Sequence, residues 1–260
     1  MSIDLEYVRN VGIGAACKGA AVLRSYFRKT FEVNHKGEKD LVTAADIASE
    51  TAVIQAITAR FPDHAVLAEE SGRTDRSGGL RWIIDPLDGT TNFAHGLGLY
   101  AVSIAFTVDD ETAVGIVLNP ETGELFTALR GNPAELNGRP IHVSRTATVG
   151  EALLVTGFPY DCRDHLPSLV GRFQRCLAAA QGIRRLGSAA LDLCYVACGR
   201  FDAFWEERLK PWDTAAGALI ARQAGATVTD FSGGPFAVEK KEILASNGVI
   251  HDAMLTLLKE

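Results

Sequence analysis

The chain has 260 residues, 47% of them hydrophobic and 22% charged, and a net charge of −6 from 26 basic and 32 acidic side chains. This is ordinary globular composition, with enough chain for a sizeable core in one large domain or two smaller ones, and the negative balance argues against general affinity for nucleic acid. No apolar run approaches the roughly 20 residues that span a bilayer, and the N-terminus, with Asp4 and Glu6, lacks the basic stretch of a signal peptide.

Leu5, Val8, Ala15, Val22, Leu23, Tyr26 and Phe27 follow a helical period and predict a long amphipathic helix over 4–28. Gly12, Gly14 and Gly19 weaken it intrinsically, which points to close packing against a neighbour. The stretch 33–39, around His35, Lys36 and Gly37, reads as a polar loop. Thr43-Ala44-Ala45-Asp46 resembles a capping box and opens a second helix to about residue 60, so Asp46 is explained by that helix start alone. Ala65 to Ala68 is a short strand that ends at Glu69-Glu70-Ser71-Gly72; the polar residues 73–79 then form a loop.

Residues 81–84 read as a buried strand, and Pro86, which has no N–H, predicts a turn there. Asp85 and Asp88 flank it, Gly89 permits a close approach or a positive φ, and Thr90, Thr91 and Asn92 are good helix-start residues. Strand, acidic turn and helix start together converge two carboxylates on a divalent cation beside N–H groups suited to an anion, the parts that phosphoryl transfer to water requires. Either aspartate is also explained as a helix cap.

Residues 100–108 and 112–118 form an antiparallel hairpin around Asp109-Asp110-Glu111, residues 124–129 a third strand, and Asn137-Gly138 a tight turn before a strand at 141–143. Beyond about residue 147 strands and helices alternate: strands at 153–156, 183–186, 201–205, 227–230 and 243–245, and helices at 165–180, 189–198, 213–224 and from about 249. The division expected is an N-terminal α+β domain, 1–147, and a C-terminal α/β domain, 148–260, sharing a cleft. Trp212-Asp213-Thr214 delivers a further carboxylate to a helix start, where an N-cap is the competing explanation. The five cysteines are odd in number and lack C-x-x-C spacing, so they read as reduced thiols, mostly small core residues, in a cytoplasmic protein. The histidines show no ligand spacing.

Four segments, 41–46, 69–72, 85–93 and 212–217, in this order, resemble the inositol monophosphatase family of Mg2+-dependent, lithium-sensitive phosphatases; Gly187-Ser188-Ala189-Ala190 and Asp202 also fall into place. The resemblance implies a layered α-β-α-β-α sandwich of the sugar-phosphatase type, within an α+β class, and a homodimer. It implies that Glu69, Asp85 and the Leu87 carbonyl hold a first Mg2+, that Asp85, Asp88 and Asp213 hold a second, and that Glu69 helps bind a weaker third. Thr90, with Glu69, would orient a metal-bound water, and Asp46 would support Thr90 or the outer metal shell. The Gly89 and Thr90 N–H groups would bind phosphate. Asp88, Ala189 and Glu206 would face the substrate, Glu206 being otherwise a charged residue at a strand end, and Lys36 would lie in a loop near the site.

The implied reaction is hydrolysis of myo-inositol 1-phosphate. Fructose 1,6-bisphosphate, histidinol phosphate and 3′-phosphoadenosine 5′-phosphate are alternatives that the same metal residues serve. A different class, a regulatory protein acting with the transcription machinery, would use basic patches such as Arg184-Arg185 and Arg172 with Arg175, which otherwise read as solvated or dimer-facing surface.

Overall fold

Asp4 starts the first helix. Its carboxylate accepts the Tyr7 N–H at 3.1 Å, and α1 runs Leu5–Tyr26. The computed structural model describes residues 3–27, 33–35, 41–74, 76, 78–159 and 161–259. Two of the three α1 glycines sit at close contacts: a Cβ on Gly19 would press on Val53 and Ser49, and one on Gly12 would strike Ile116. Gly14 faces open space, so close packing does not account for it.

Next, β1 (Val33–His35) and β2 (Leu41–Thr43) pair antiparallel. Part of the expected loop is therefore a strand, because ladder hydrogen bonds depend on the backbone and not on apolar side chains. Lys36 lies outside the described residues. Helix α2 (Ala44–Thr58) follows at once and packs on α1.

The first sheet is built from β3 (Ala65–Ala68), β4 (Gly72–Thr74), β5 (Leu80–Asp88), β6 (Ala101–Val108), β7 (Glu111–Leu118), β8 (Leu125–Leu129), β9 (Glu135–Leu136) and β10 (Arg139–Pro140), in the order β10-β9-β8-β7-β6-β5-β3-β4, with the short helix α3 (Thr90–Ala94) after β5. Strands β3 and β5 are parallel; the other pairs are antiparallel. Asp109 and Asp110, at φ of 50° and 66°, make the two-residue turn between β6 and β7.

Three sequence expectations change here. Strand β4 occupies part of the predicted loop 73–79. The turn expected at Pro86 is a bulge: β5 continues to Asp88, and three steps from Asp85 to Asp88 oppose two from Ser103 to Ala101 on β6. A bulge leaves a residue out of the ladder, which suits a proline with no N–H to give. Around Asn137-Gly138 the strands pair immediately on either side of the turn, and residues 141–143 form no strand. Their N–H groups go elsewhere, Ile141 to the Ala134 carbonyl at 2.9 Å and Val143 to the Ala224 carbonyl at 3.2 Å.

The second sheet comes from β11 (Leu153–Thr156), β12 (Gly182–Arg184), β13 (Ala203–Glu207), β14 (Thr227–Thr229) and β15 (Glu242–Ser246), in the order β12-β11-β13-β15-β14. The strand β11 is parallel to both neighbours, while β15 is antiparallel to β13 and β14. Helices α4 (Leu166–Ala179), α5 (Ala189–Ala197), α6 (Pro211–Gln223) and α7 (His251–Leu258) are interleaved.

Three apolar clusters define the layers. Val8, Leu23, Val53 and Ile57 of α1 and α2 pack with Trp82, Ile84, Val102, Ile104 and Phe106 on one face of the large sheet. Ile83, Ala105, Val117 and Phe126 on its other face meet α5 and α6, which also cover Val155, Phe204 and Ala245 of the second sheet. Leu154, Trp205 and Leu244, on the far face of that sheet, pack on Cys176 of α4 and Met254 of α7. The alternation of side chains along each strand thus yields an α-β-α-β-α sandwich. The change of sheet falls between Pro140 and Leu153. Among the described residues no helix is long and apolar enough to cross a membrane.

Candidate active site

The bulge of β5 turns two aspartates toward the gap between the sheets. Asp85 accepts the Leu87 N–H at 3.0 Å. Asp88 accepts the Ser188 hydroxyl at 2.5 Å and the Ala190 N–H at 2.8 Å, both from the start of α5. The carbonyls of this segment are held too: Ser49 of α2 donates to Pro86 at 3.0 Å, and the Thr90 hydroxyl to Leu87 at 3.0 Å. Gly89 caps α3 at φ +94°, and a Cβ there would come within 2.9 Å of the Leu99 carbonyl oxygen. Only glycine combines that φ with that approach.

The register Ala68↔Ile84 puts Glu69 and Asp85 at adjacent strand ends. Asp46, buried in the first turn of α2, brings a carboxylate oxygen within 4.8 Å of those of Glu69 and Glu70. Glu50, one helical turn further on, accepts the Glu70 and Ser71 N–H groups at 2.8 Å each and so fastens the loop after β3. Asp213 enters from the third position of α6, where it accepts the Lys210 N–H at 2.6 Å. The cap and the site are therefore not alternatives for Asp213: one residue does the first and faces the cavity as well.

That cavity encloses about 710 Å3. Its inner part is lined by Glu69, Asp85, Leu87, Asp88, Gly89, Thr90, Ala189, Glu206 and Asp213. Every residue expected at the site lines it except Asp46, which lies behind Glu69, and Lys36, which is not described. Its outer wall carries Arg185, Arg208, Lys210 and Lys241.

Three of the carboxyl groups, those of Asp85, Asp88 and Glu206, are held above their ordinary range. Burial does most to raise Asp85, and Glu69, Asp88, Asp213 and Asp46 add to it in that order. Burial lifts Asp88 to about 6 against the hydrogen bonds from Ser188, Ala190 and Ala189. Burial lifts Glu206 to about 8, with Asp213 adding and Arg185 opposing. Desolvated like charges of this kind are relieved by a cation. All these donors are hard oxygens, no histidine or cysteine lines the cavity among the described residues, and the set fits Mg2+ better than a softer metal. The histidines that lie deepest serve packing: His64 accepts the Trp82 indole N–H at 3.1 Å, and His251 lies between Ser246 and Thr229.

Sequence reasoning passed over the residues that hold these ligands in place. Ser49 carries no local signal; Ser188 falls within the segment 187–190 and Arg185 within a basic pair, but nothing local gives either a role at the carboxylates. Glu50 had one, its place four residues after Asp46 on the same helix face. Asp192 of α5 is fully buried with both carboxylate oxygens unpartnered, and burial, then Glu206 and Asp88, push its carboxyl well up.

The model of the inositol monophosphatase family matches residues 4–260. An inositol-1-monophosphatase of Synechocystis is 44% identical over 253 residues, 96% of this chain and 88% of the relative. The Nus factor SuhB of Pseudomonas aeruginosa is 43% identical over 262 residues, 98% of this chain and 97% of the relative. The crystal structure of the extragenic suppressor protein suhB of Bartonella henselae superposes with a TM-score of 0.94 at 39% identity, covering 98% of this chain and 99% of that one.

Proposed function

The chain belongs to the inositol monophosphatase family and is a phosphomonoester hydrolase, and from that membership we propose that it hydrolyses myo-inositol 1-phosphate with Mg2+ ions held in the carboxylate cavity. The observation that carries the reading is the convergence of Glu69, Asp85, Asp88 and Asp213, from β3, β5 and α6, on one buried pocket. In this reading Glu69, Asp85 and the second lone pair of the Leu87 carbonyl hold one ion. Asp85, Asp88 and Asp213 hold another, and Glu69 helps with a weaker third. When bound, such ions lower the pKa of water, polarise the phosphate and stabilise the leaving oxygen.

The chain's own groups do the rest. Thr90, fixed by its bond to Leu87, orients the attacking water together with Glu69. Asp46 supports that pair from behind. The Gly89 and Thr90 N–H groups take the phosphate oxygens. Asp88, Ala189 and Glu206 face the polyol. Burial raises the Glu206 carboxyl to about 8, and the group can accept hydrogen bonds from the polyol hydroxyls in either protonation state.

The test is phosphate release from myo-inositol 1-phosphate, fructose 1,6-bisphosphate, histidinol phosphate and 3′-phosphoadenosine 5′-phosphate, with and without Mg2+ and with added Li+. Preference for the inositol ester, lost without Mg2+ and weakened by Li+, supports the reading. Preference for another ester keeps the chemistry and replaces the substrate. No release from any of them defeats it.

A relative named as a Nus factor at 43% identity favours a second reading, a regulatory role with the transcription machinery in the cytoplasm. Affinity capture from cell extract tests it, and recovery of nothing but further copies of this chain counts against it. From the family resemblance we further propose that the protein is a homodimer in solution, which sedimentation velocity checks.

A further inference from the structure

Beyond the ends of β11 and β13 an ion pair rejoins two arms of chain that the sheet no longer pairs. The parallel ladder of these strands runs to Thr156↔Trp205, where the Thr156 hydroxyl also donates to the Trp205 carbonyl at 2.7 Å. The next residues are Gly157 and Glu206, in contact so close that a Cβ on the glycine would overlap the carboxyl group. Past this contact the Arg208 guanidinium holds the Asp161 carboxylate with both Nε, at 3.0 Å, and a terminal nitrogen. Contact and ion pair close a ring. Glu206, Glu207 and Arg208 form one arm, and Gly157, Phe158, Pro159 and Asp161 belong to the other; all of these but Glu207 line the cavity. The β13 arm is anchored on its far side. Glu207 pairs with Glu242 of β15 and accepts Arg172 of α4 at 2.5 Å, and the Arg208 N–H donates to the Lys241 carbonyl. Neither ladder of β11 extends past Thr156, so the Arg208–Asp161 pair supplies a tie where the ladders have ended.

Stability does not explain this pair. Arg208 sits at φ +67°. The other non-glycine residues at positive φ among the described residues are Asp109, Asp110 and Asn137, whose short polar side chains suit that conformation, whereas an arginine gains nothing of the kind. Both partners are partly open to water, and an exposed ion pair contributes less than a left-handed residue costs. Strain kept in the wall of a site points to a role in that site. We propose that Arg208 and Asp161 are positioning residues that act through Glu206: their forked pair holds Gly157 against the Glu206 carboxyl group and so sets where that group meets the substrate hydroxyls. The inference rests on the proposed reading of Glu206 as a group that faces the polyol.

The experiment measures KM and kcat for Arg208→Gly and Asp161→Ala, each alone and in a Glu206→Ala background, with whichever of the four phosphate esters the wild type hydrolyses best, and thermal unfolding beside them. Glycine adopts the positive φ freely, so Arg208→Gly should melt no lower than the wild type. The expected result is a KM raised roughly five- to tenfold by either substitution with kcat within about threefold, and no further rise where Glu206 is already alanine, because residues that act as a unit are not additive. Arg208→Lys, which keeps the charge and loses the fork, should fall between the wild type and Arg208→Gly.

An unchanged KM overturns the proposal. So does a rise of the same size in the Glu206→Ala background, or a joint loss of kcat and melting temperature in Arg208→Gly, which would make the pair a structural brace. If the wild type releases phosphate from none of the esters, the phosphatase reading fails and amide hydrogen exchange decides for the ion pair. Faster exchange in the peptides that carry Gly157 and Glu206, at a constant melting temperature, in both Arg208→Gly and Asp161→Ala then upholds the pair as what holds the two in contact, and unchanged exchange overturns it.

Discussion

Ser188 and Asp88 lie 100 residues apart and meet at 2.5 Å, the serine hydroxyl donating to the same carboxylate oxygen that accepts the Ala190 N–H. One strand of the large sheet is thereby tied to the start of the helix between the sheets. The bond fixes the rotation of the carboxylate proposed above as a metal ligand. Ser188 also caps α5 by accepting the Leu191 N–H at 3.3 Å.

Ser188→Ala should lower the apparent Mg2+ affinity by roughly 10- to 100-fold, the usual effect of removing a group that orients a ligand, while kcat at saturating Mg2+ changes little. Loss of the cap should lower stability by about 1 kcal/mol. A Mg2+ titration of activity, with thermal unfolding beside it, measures both. An unchanged titration would leave Asp88 oriented by the Ala190 and Ala189 N–H groups.

Asp88→Asn should abolish turnover and yet stabilise the metal-free protein. The folded carboxyl has a pKa of about 6 against an ordinary 3.8. The folded state therefore binds more protons than the unfolded state between these values, and stability falls as pH rises from about 4 to about 6. The asparagine variant lacks this loss and should exceed the wild type by up to roughly 3 kcal/mol above about pH 6, with the gap closing below about pH 4. Glu206, raised to about 8, extends a similar decline to higher pH in both proteins. His64 and His251, held low by burial, act in the opposite sense in both. The difference between the two proteins reports Asp88 together with the relief of Asp85, Glu206 and Asp192, whose carboxyl groups its charge raises. Thermal unfolding in EDTA across pH 4–8 reads it, and added Mg2+ should restore the wild type and leave the variant almost unmoved.

How much of this was legible before any coordinates depends on the range over which each residue acts. The segment 85–93 announced itself because a proline, a glycine and helix-start residues each constrain the backbone locally. Asp213 was legible for the same reason, as an acid in the first turn of a helix. The bulge was not: a proline can be accommodated by a turn or by an extra residue in a ladder, and the choice is made by pairing with β6, which no local pattern encodes. The hairpin β1–β2 was hidden because polar side chains leave no alternation to read. The bond from Ser188 to Asp88 was not legible, since the two come from distant elements.

Thr90 offers a cleaner separation of chemistry from structure. Its hydroxyl donates to the Leu87 carbonyl at 3.0 Å and the residue is buried at the start of α3. Thr90→Ala should lower kcat by about 10²- to 10⁴-fold, the scale of a positioned proton-handling group, with KM nearly constant. Thr90→Ser keeps the hydroxyl and should retain most of the rate. Equal loss in both variants would trace the effect to the missing methyl group and its packing.

Gly157 is where the fold makes room for a substrate-facing acid. It lines the cavity just after β11, and a Cβ added there would overlap the Glu206 carboxyl group. Glu206 is itself buried at the end of β13, the parallel neighbour of β11, so it can move only toward the cavity. Gly157→Ala should therefore push the Glu206 carboxyl out of register with the polyol hydroxyls. The expected change is a rise of roughly tenfold in KM for myo-inositol 1-phosphate with kcat less affected, since a binding contact is lost while the phosphate end stays in place. Glu206→Gln, which keeps the shape and a donor, should cost less. If the alanine variant binds substrate as the wild type does, Glu206 does not touch the polyol, and the inner wall near β13 serves only to complete the pocket.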